Sequence, residues 1–357
     1  MAKNFEPITL DKTDFNLLRE LTEAVSVSGE ESEVRKIIRR ELKGLADEVC
    51  VDAMGSVIAV KRAKTRNPIK VLFDAHMDEV GMMLTNGSDG TFSFRTVGGI
   101  DPRQLAGKTV WVGKDHVPGV IGAKAIHLLT SDERKQAIKT SSLKIDVGEE
   151  NKGKVKPGDR ATFATKFERI GPSIVAKAID NRIGCAILLK LLKNVPDHVE
   201  FHAVFAVQEE VGLRGARTAA YGVNPDLAIA VDSTPAGDLP RHDRKDSHRY
   251  NTKLGSGPAI YTLDSGTLSD PRLISHLVKV GDRYKIPYQF RQPGPGGTDA
   301  GSIHLQRGGI PAVSVSVPGR YAHTAAMVCR VRDWENTLNL LSAFLFDLTA
   351  DLLKADR

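Results

Sequence analysis

One stretch of sequence decides the fold: Ile69-Lys70-Val71-Leu72-Phe73-Asp74-Ala75-His76-Met77-Asp78. Its first half is almost continuously apolar, which predicts a buried strand, and polar side chains follow at the carboxyl end of that strand. Two later runs, 199–207 and 227–231, are apolar in the same way, as is typical of strands in the middle of a sheet. Helical spacing predicts helices at 181–193, 213–221, 270–284, 298–307 and 333–353. This alternation predicts an α/β fold with a central mixed sheet flanked by helices.

The segment 79–167 has a different texture from the rest of the chain. Helical spacing almost vanishes there, and short β-rich pieces alternate with glycine turns. Such a pattern predicts a small β-barrel or β-sandwich inserted into the larger domain. We therefore expect three parts: the first part of the larger α/β domain at 1–78, the inserted β-domain at 79–167, and the second part of the α/β domain at 168–357.

Composition excludes several classes of protein. Of the 357 residues, 41% are hydrophobic and 26% charged, as in ordinary globular proteins. No apolar stretch approaches the roughly 18 residues of a membrane span, and the first residues lack the apolar core of a signal peptide. Three widely separated cysteines argue against a disulfide framework. We expect a cytoplasmic protein with no membrane partner.

The net charge of +6 raises nucleic acid as a partner. The densest basic run, 241–250, is however interleaved with acids, and no aromatic-rich strand accompanies it. This pattern favours a solvated loop, and we expect no nucleic-acid partner.

Ligand sites in open α/β sheets gather at the carboxyl ends of the strands. Strand and loop ends of this chain deliver His76, Asp180, Glu209, Glu210, Asp232 and His323. Imidazole with carboxylate is a ligand set that suits Zn²⁺, Co²⁺ or Mn²⁺. In a two-metal site Asp180 could bridge the ions. His76 and Glu210 would complete one ion, and Asp232 and His323 the other.

Glu209 and Glu210 are neighbours for which we expect separate roles. One can bind metal while the other stays within reach of the proton that it removes, as a general base must. Asp78 could orient the His76 imidazole from behind. Taken singly, a His-x-Asp triplet or a Glu-Glu pair is more often structural or solvated. The coincidence of these residues at several strand ends favours a metal site.

A glycine-rich loop, 293–300, precedes the predicted helix 298–307. Backbone amides at such a position can hold an anion, so Gly297, Thr298 and Asp299 are candidates for substrate binding. The same loop can equally be a tight turn in which Thr298 or Asp299 caps the helix. The residues leave both interpretations open.

Together these segments resemble the dinuclear metal aminopeptidases, which include glutamyl and deblocking aminopeptidases and the tetrahedral TET peptidases. The matching motifs are Asp74-Ala75-His76-Met77-Asp78-Glu79-Val80-Gly81, Lys177-Ala178-Ile179-Asp180-Asn181-Arg182, Val207-Gln208-Glu209-Glu210-Val211-Gly212, Val231-Asp232-Ser233-Thr234, Gly296-Gly297-Thr298-Asp299-Ala300 and Arg320-Tyr321-Ala322-His323. They follow the family's order across nearly the whole chain. The resemblance implies a zinc-exopeptidase-like fold and Glu209 as the acid/base. The metal ligands that it implies are His76, Asp180 as the bridge, Glu210, Asp232 and His323.

The resemblance also implies a function. It is that of an aminopeptidase that removes N-terminal residues from short peptides with two divalent ions, Zn²⁺ or Co²⁺, with Mn²⁺ as a third candidate. The inserted domain would mediate dimerisation, and dimers would build a hollow dodecamer. Ala322 and Thr324 depart from the bulkier residue and the serine that the family often has around the last histidine, which concerns pocket shape. The alternatives are an endo-1,4-beta-glucanase, a name that some members carry, a related dinuclear amidohydrolase or deacylase, and a non-catalytic binding protein.

Overall fold

The computed structural model describes residues 5–239 and 251–355, so the charged run 241–250 lies outside the described residues. The helices are α1 Lys12–Glu23, α2 Ser32–Glu41, α3 Ser131–Lys135, α4 Ile179–Leu191, α5 Arg214–Val223, α6 Pro271–Tyr284, α7 Ala300–Ile303 and α8 Val331–Asp347. Within the described part of the chain, every helix is too short or too polar to cross a membrane.

Strands of the chain form two sheets. The central sheet contains β1 Glu48–Val51, β2 Val57–Lys61, β3 Ile69–His76, β10 Glu168–Ile170, β11 Ser173–Ala176, β12 Val199–Ala206, β13 Leu227–Pro235, β14 Ala259–Ile260, β15 Gln289–Phe290, β16 Ala312–Arg320 and β17 Met327–Arg330. The second sheet contains β4 Gly81–Ser88, β5 Thr91–Val97, β6 Thr109–Val112, β7 Val117–Gly122, β8 Lys144–Asp146 and β9 Arg160–Phe163.

The central sheet is mixed, with the order β1-β2-β12-β3-β13-β16-β17-β11-β10. Its middle strands β12, β3, β13 and β16 run parallel, and antiparallel strands flank them on both sides. The apolar run of β3 is buried on both faces, and Phe73 packs against Phe201 of β12 with ring centroids 5.1 Å apart. The predicted α/β class is confirmed, and the carboxyl ends of the four parallel strands meet at one edge.

The inserted sheet closes into an antiparallel barrel in the order β4-β5-β8-β7-β6-β9. Alternating strand residues fill it, among them Phe92, Phe94 and Phe163, which form a core separate from that of the larger domain. The sequence pattern left barrel and sandwich open, and the structure is a barrel. Closure leaves no free sheet edge in this small unit.

Two predicted helices are shorter in the structure. The helix predicted at 298–307 is only Ala300–Ile303, because the chain turns back at once and Arg307 and Gly309 take positive φ angles of 55° and 99°. The helix predicted at 333–353 ends at Asp347, and its last turn is a separate 3₁₀ helix, Ala350–Lys354. The helical spacing of apolar residues continues beyond Ile303 and beyond Asp347, so this spacing could not show where the two helices end.

A buried ion cluster ties the barrel to the larger domain. The Glu79 carboxylate accepts hydrogen bonds from Lys177 Nζ at 2.9 Å, Arg182 Nη2 at 3.2 Å and Thr162 Oγ1 of β9 at 2.7 Å. It also accepts one from the Ser26 backbone N–H at 3.0 Å. Glu79, Lys177 and Arg182 are at most 2% exposed, and burial lowers the pKa of Lys177 to about 8. Both cations therefore depend on one carboxylate.

Replacing that carboxylate should strongly destabilise the fold. Glu79→Ala leaves Lys177 and Arg182 buried without an anion, and we expect a loss of about 3–5 kcal/mol in the free energy of unfolding, measured by urea denaturation. The control is Glu149→Ala, which removes an exposed partner of Lys152 and should change stability little. Equal stability of the two variants would show that the cluster does not hold the domains together.

Candidate metal centre

All six sequence candidates for metal binding and proton transfer lie at one edge of the central sheet. His76 ends β3, Glu209 and Glu210 follow β12, and Asp232 lies near the end of β13. His323 follows β16, and Asp180 stands at the start of α4. Because the four strands are parallel, their carboxyl ends deliver these side chains to one place.

Asp180 lies between the two histidines. Its Oδ1 is 3.2 Å from His76 Nε2, and its Oδ2 is 3.4 Å from His323 Nε2. His76 Nε2 also lies 3.5 Å from Asp232 Oδ1 and 3.9 Å from Glu209 Oε2. His323 Nε2 lies 3.4 Å from Glu210 Oε2. The side chains thus form two groups that share Asp180.

The pairing expected from the sequence is wrong. His76 groups with Asp232 instead of Glu210, and Glu210 groups with His323. The sheet explains the first pair: Ala230 of β13 lies opposite Asp74 of β3, so residues two further along each strand lie beside one another. After β12, the chain turns at Gln208, which has a φ of 57°, and this turn carries Glu210 to the second group.

Local contacts fix Asp180. The neighbouring Asn181 donates from Nδ2 to the Val231 carbonyl of β13 at 2.8 Å, and its Oδ1 accepts from the Gly184 N–H at 3.1 Å. A Cβ at Gly184 would collide with the Asn181 side chain, so the helix can approach the strand this closely only with glycine. The start of α4 is therefore fixed against β13 beside Asp232.

Asp78 holds the two glutamates from behind. Its Oδ1 accepts a hydrogen bond from the Glu209 N–H at 3.0 Å, and its Oδ2 accepts from the Glu210 N–H at 3.2 Å and Ser28 Oγ at 2.6 Å. The same carboxylate lies 3.5 Å from His76 Nδ1. The contact with His76 was expected from the sequence, whereas the contacts with the Glu209–Glu210 turn were not. One buried carboxylate thus contacts both a histidine and the turn that follows β12.

The electrostatics of the cluster favour added cations. Burial raises the pKa of Glu209 well above its usual range and that of Glu210 to about 8. Burial alone would lower the pKa of His323, but Asp180 and Glu210 outweigh it and raise that pKa to about 10. The pKa of His76 is shifted upward in the same way by Glu209, Asp180 and Asp232. The buried carboxylates in this cluster therefore outnumber the positive charges that the chain places beside them.

The donor set fits a pair of divalent ions. Two imidazole nitrogens and several carboxylate oxygens converge, and in each group the ligand-type atoms lie within 4.8 Å of one another. This mixture of nitrogen and oxygen donors suits Zn²⁺, Co²⁺ or Mn²⁺. Divalent ions would supply the positive charge that the raised histidine pKa values indicate is missing.

A cavity of about 500 Å³ opens over the cluster. Of the three loop residues proposed from sequence, Gly297 lines this cavity. Thr298 and Asp299 are buried at 1% and 3% exposure and are not among its lining residues. Thr298 Oγ1 instead contacts Ser314 Oγ at 2.6 Å and accepts a bond from the Ala300 N–H at 3.3 Å. Thr298 and Asp299 thus belong to the buried turn behind the cavity wall and do not line the cavity.

The cavity wall also contains residues that were not proposed from the sequence as site residues. They are Gly99, Leu213, Ser233, Pro235, Tyr261, Ser265, Arg291, Pro295, Gly296 and Ala322. They come from separate loops and strands, and one comes from the segment that leads out of β5 in the barrel. Ser233, Gly296 and Ala322 lie in the matching motifs but carry no ligand chemistry of their own. Pro295 lies in the glycine-rich loop, and the others come from segments that the sequence did not single out as lining a site, so only the folded chain brings them together.

The chain is similar to known proteins over most of its length. A sequence model of the M42 glutamyl aminopeptidase family matches residues 55–340. A glutamyl aminopeptidase of Lactococcus lactis and a lysyl aminopeptidase of Pyrococcus furiosus are each 31% identical to this chain. Each alignment covers 94% of this chain and 97% of the relative.

Solved structures match as well. The Pyrococcus horikoshii TET1 peptidase, described as able to assemble into a tetrahedron or a large octahedral shell, superposes with a TM-score of 0.82 at 31% identity. That match covers 94% of this chain and 100% of the other. A Thermotoga maritima structure named as an endoglucanase has a TM-score of 0.75 at 32% identity, covering 92% of this chain and 96% of that one.

Asp78→Asn tests the contacts behind the cluster. Whichever way the amide turns, its NH₂ group faces the N–H of Glu209 or Glu210, so one bond to the turn is lost. We expect zinc affinity, titrated on metal-free protein, to fall about 10- to 100-fold. Ser28→Ala is the matched control, because it removes only the hydroxyl and leaves both backbone bonds. Unchanged affinity in Asp78→Asn would mean that the turn does not depend on Asp78.

Proposed function

Since the chain belongs to the M42 glutamyl aminopeptidase family and is therefore a peptide hydrolase, we propose that it removes N-terminal residues from short peptides with two divalent ions. The observation that carries this proposal is the position of Asp180 between His76 and His323. Each histidine has a further carboxylate of its own, and Glu209 is left as an additional acid at the cavity. That division of roles is what a two-ion hydrolase requires.

The metal ligands follow from the two groups. His76 and Asp232 would hold one ion and Glu210 and His323 the other, and Asp180 would be shared by both. We propose zinc or cobalt, with manganese as a third candidate, on the donor chemistry. When bound, the ions act as Lewis acids and bring the pKa of water close to neutral.

Glu209 is the proposed general base. Its carboxylate lines the cavity and lies 3.9 Å from His76 Nε2, close to the water that would attack the peptide bond. It accepts the proton of the attacking water and then donates it to the amine that leaves when the peptide bond breaks. Asp78 holds its backbone N–H, so the carboxylate is presented from a fixed turn.

The alternatives fit the site less well. A glycosidase of the usual kind needs two free carboxylates on either side of a sugar. Here Asp180, Glu210 and Asp232 lie 3.2–3.5 Å from the histidine nitrogens, and Glu209 lies farther away, 3.9 Å from His76 Nε2, which leaves one acid less engaged than the others. A dinuclear amidohydrolase or deacylase would share the chemistry of the site. Substrates with free and with acylated α-amino groups separate those activities from that of an aminopeptidase.

Glu209→Gln should keep its metal and lose turnover. Glutamine has nearly the same shape but cannot accept the proton, so kcat on an aminoacyl p-nitroanilide should fall about 10²- to 10⁴-fold. Metal content by mass spectrometry must be measured on the same preparation. Near-normal hydrolysis by the metal-loaded variant would place the base elsewhere, and inactivity of the wild-type protein on every aminoacyl substrate would refute the proposed function.

Assembly forms the second part of the proposal. We propose that the barrel mediates dimerisation and that dimers close into a dodecameric shell with the active sites inside, which would admit short peptides and exclude folded proteins. Two apolar side chains of the barrel, Ile126 and Leu128, are 72% and 61% exposed in the single chain. The shells that the TET1 relative forms support the same interpretation.

Light scattering provides the direct test of the shell. The metal-loaded protein should have twelve times the 38.8 kDa mass of the chain. The double variant Ile126→Asp, Leu128→Asp should form smaller particles if the barrel surface makes the contacts, whereas Leu305→Asp, at an exposed site outside the barrel, should not. A strictly monomeric wild-type protein at micromolar concentration would contradict the assembly and leave the aminopeptidase chemistry standing.

A further inference from the structure

Arg291 is a buried cation in the wall of the cavity. Its side chain is 4% exposed, and the residue lines the same cavity as His76, Glu209 and Asp232. It follows β15, and its backbone N–H donates to the Ile260 carbonyl of β14 at 3.0 Å, so the short strand pair fixes its position.

The guanidinium is only partly satisfied. Nη2 donates to the Pro295 carbonyl at 2.8 Å, Nη1 makes a long contact of 3.5 Å with the Gln292 carbonyl, and Nε has no partner among the described residues. The charge lies over the Tyr261 ring, 4.7 Å from its centroid. Across residues 5–239 and 251–355, no carboxylate forms an ion pair with Arg291. The guanidinium instead contacts the carbonyls of Gln292 and Pro295 and the face of the Tyr261 ring.

Such an arrangement is costly without an anion. Burying a charge is strongly unfavourable unless it is paired, as Lys177 and Arg182 are with Glu79. Arginine presents a planar fork that matches a carboxylate. A carboxylate that enters the cavity with the substrate would satisfy the guanidinium.

The position of Tyr261 connects Arg291 with the metal centre. The Arg291 guanidinium lies over the Tyr261 ring, and burial together with the Asp232 carboxylate raises the pKa of Tyr261 to about 12. Tyr261, Arg291 and Asp232 all line the same cavity. A residue bound with its α-amino group at the carboxylate cluster would place its side chain in the cavity that Arg291 lines.

We infer that Arg291 determines specificity and selects peptides whose first residue carries a side-chain carboxylate, glutamate or aspartate. This inference rests on the proposed aminopeptidase function. The relatives do not decide which first residue this chain prefers. A glutamyl aminopeptidase, named for an acidic residue, and a lysyl aminopeptidase, named for a basic residue, are equally similar to it at 31% identity. Arg291 distinguishes between those specificities in this chain.

A carboxylate can reach Arg291 from two sources, the side chain of the first residue or the C-terminus of a dipeptide. The test therefore compares substrates that carry only one of them. Glutamyl and leucyl p-nitroanilides lack a C-terminal carboxylate, and Leu-Gly and its amide differ only in that group. We expect the glutamyl compound to exceed the leucyl compound in kcat/KM, and Leu-Gly to show no advantage over its amide.

Arg291→Met removes the charge and keeps much of the side-chain length. The ratio of kcat/KM for glutamyl over leucyl p-nitroanilide should fall about 10- to 100-fold, the range expected for a charge-assisted hydrogen bond. Arg291→Lys should restore part of that ratio. The loss should appear mainly in KM, because Arg291 binds the side chain and lies outside the reacting bond.

Arg307→Met is the matched control. Arg307 also lies over a tyrosine, 3.7 Å from the Tyr221 ring centroid, but it is exposed and outside the cavity wall. It should leave the ratio unchanged. A wild-type preference for leucyl or lysyl substrate, or a ratio that survives Arg291→Met, would overturn the inference while the aminopeptidase stands. A preference for Leu-Gly over its amide that depends on Arg291 would also overturn it, by assigning the arginine to the C-terminus.

Discussion

The contact between one carboxylate and two imidazoles organises the rest of this molecule. Asp180 presents an oxygen to His76 at 3.2 Å and to His323 at 3.4 Å; His76 ends β3, and His323 lies in the loop after β16. For the three to meet, β3 and β16 must end at the same edge, and α4 must begin beside them. The parallel middle of the sheet meets the first requirement, and the close approach of Gly184 to the Asn181 side chain meets the second.

Buried charge separates structural from functional parts of the fold. Glu79 lies with Lys177 and Arg182, so that cluster is satisfied within the chain and links the barrel to the larger domain. At the sheet edge, carboxylates outnumber the cations that the chain itself provides. At Arg291 the excess charge is positive, because this buried guanidinium has no carboxylate partner among the described residues. The first imbalance fits divalent ions and the second fits an acidic substrate, so both point to groups supplied from outside the chain.

Sequence predicted the features that depend on local pattern. The apolar run 69–73 and its polar end predicted both a central strand and a candidate ligand, because one stretch carries both signals. Which residues share an ion could not be predicted, since the grouping depends on the register of β13 against β3 and on the backbone turn at Gln208. Arg291 was missed for a related reason. Its burial against Tyr261 arises from pairing between two-residue strands, which leave no periodic trace in the sequence.

The central claim is that two ions are held in two groups that share Asp180. The most direct test is anomalous diffraction from crystals of the zinc-loaded protein, collected on either side of the zinc absorption edge. We predict two peaks in each chain, one beside His76 and Asp232 and one beside Glu210 and His323, with Asp180 in contact with both. A single peak under saturating zinc, or peaks that pair His76 with Glu210, would contradict the claim.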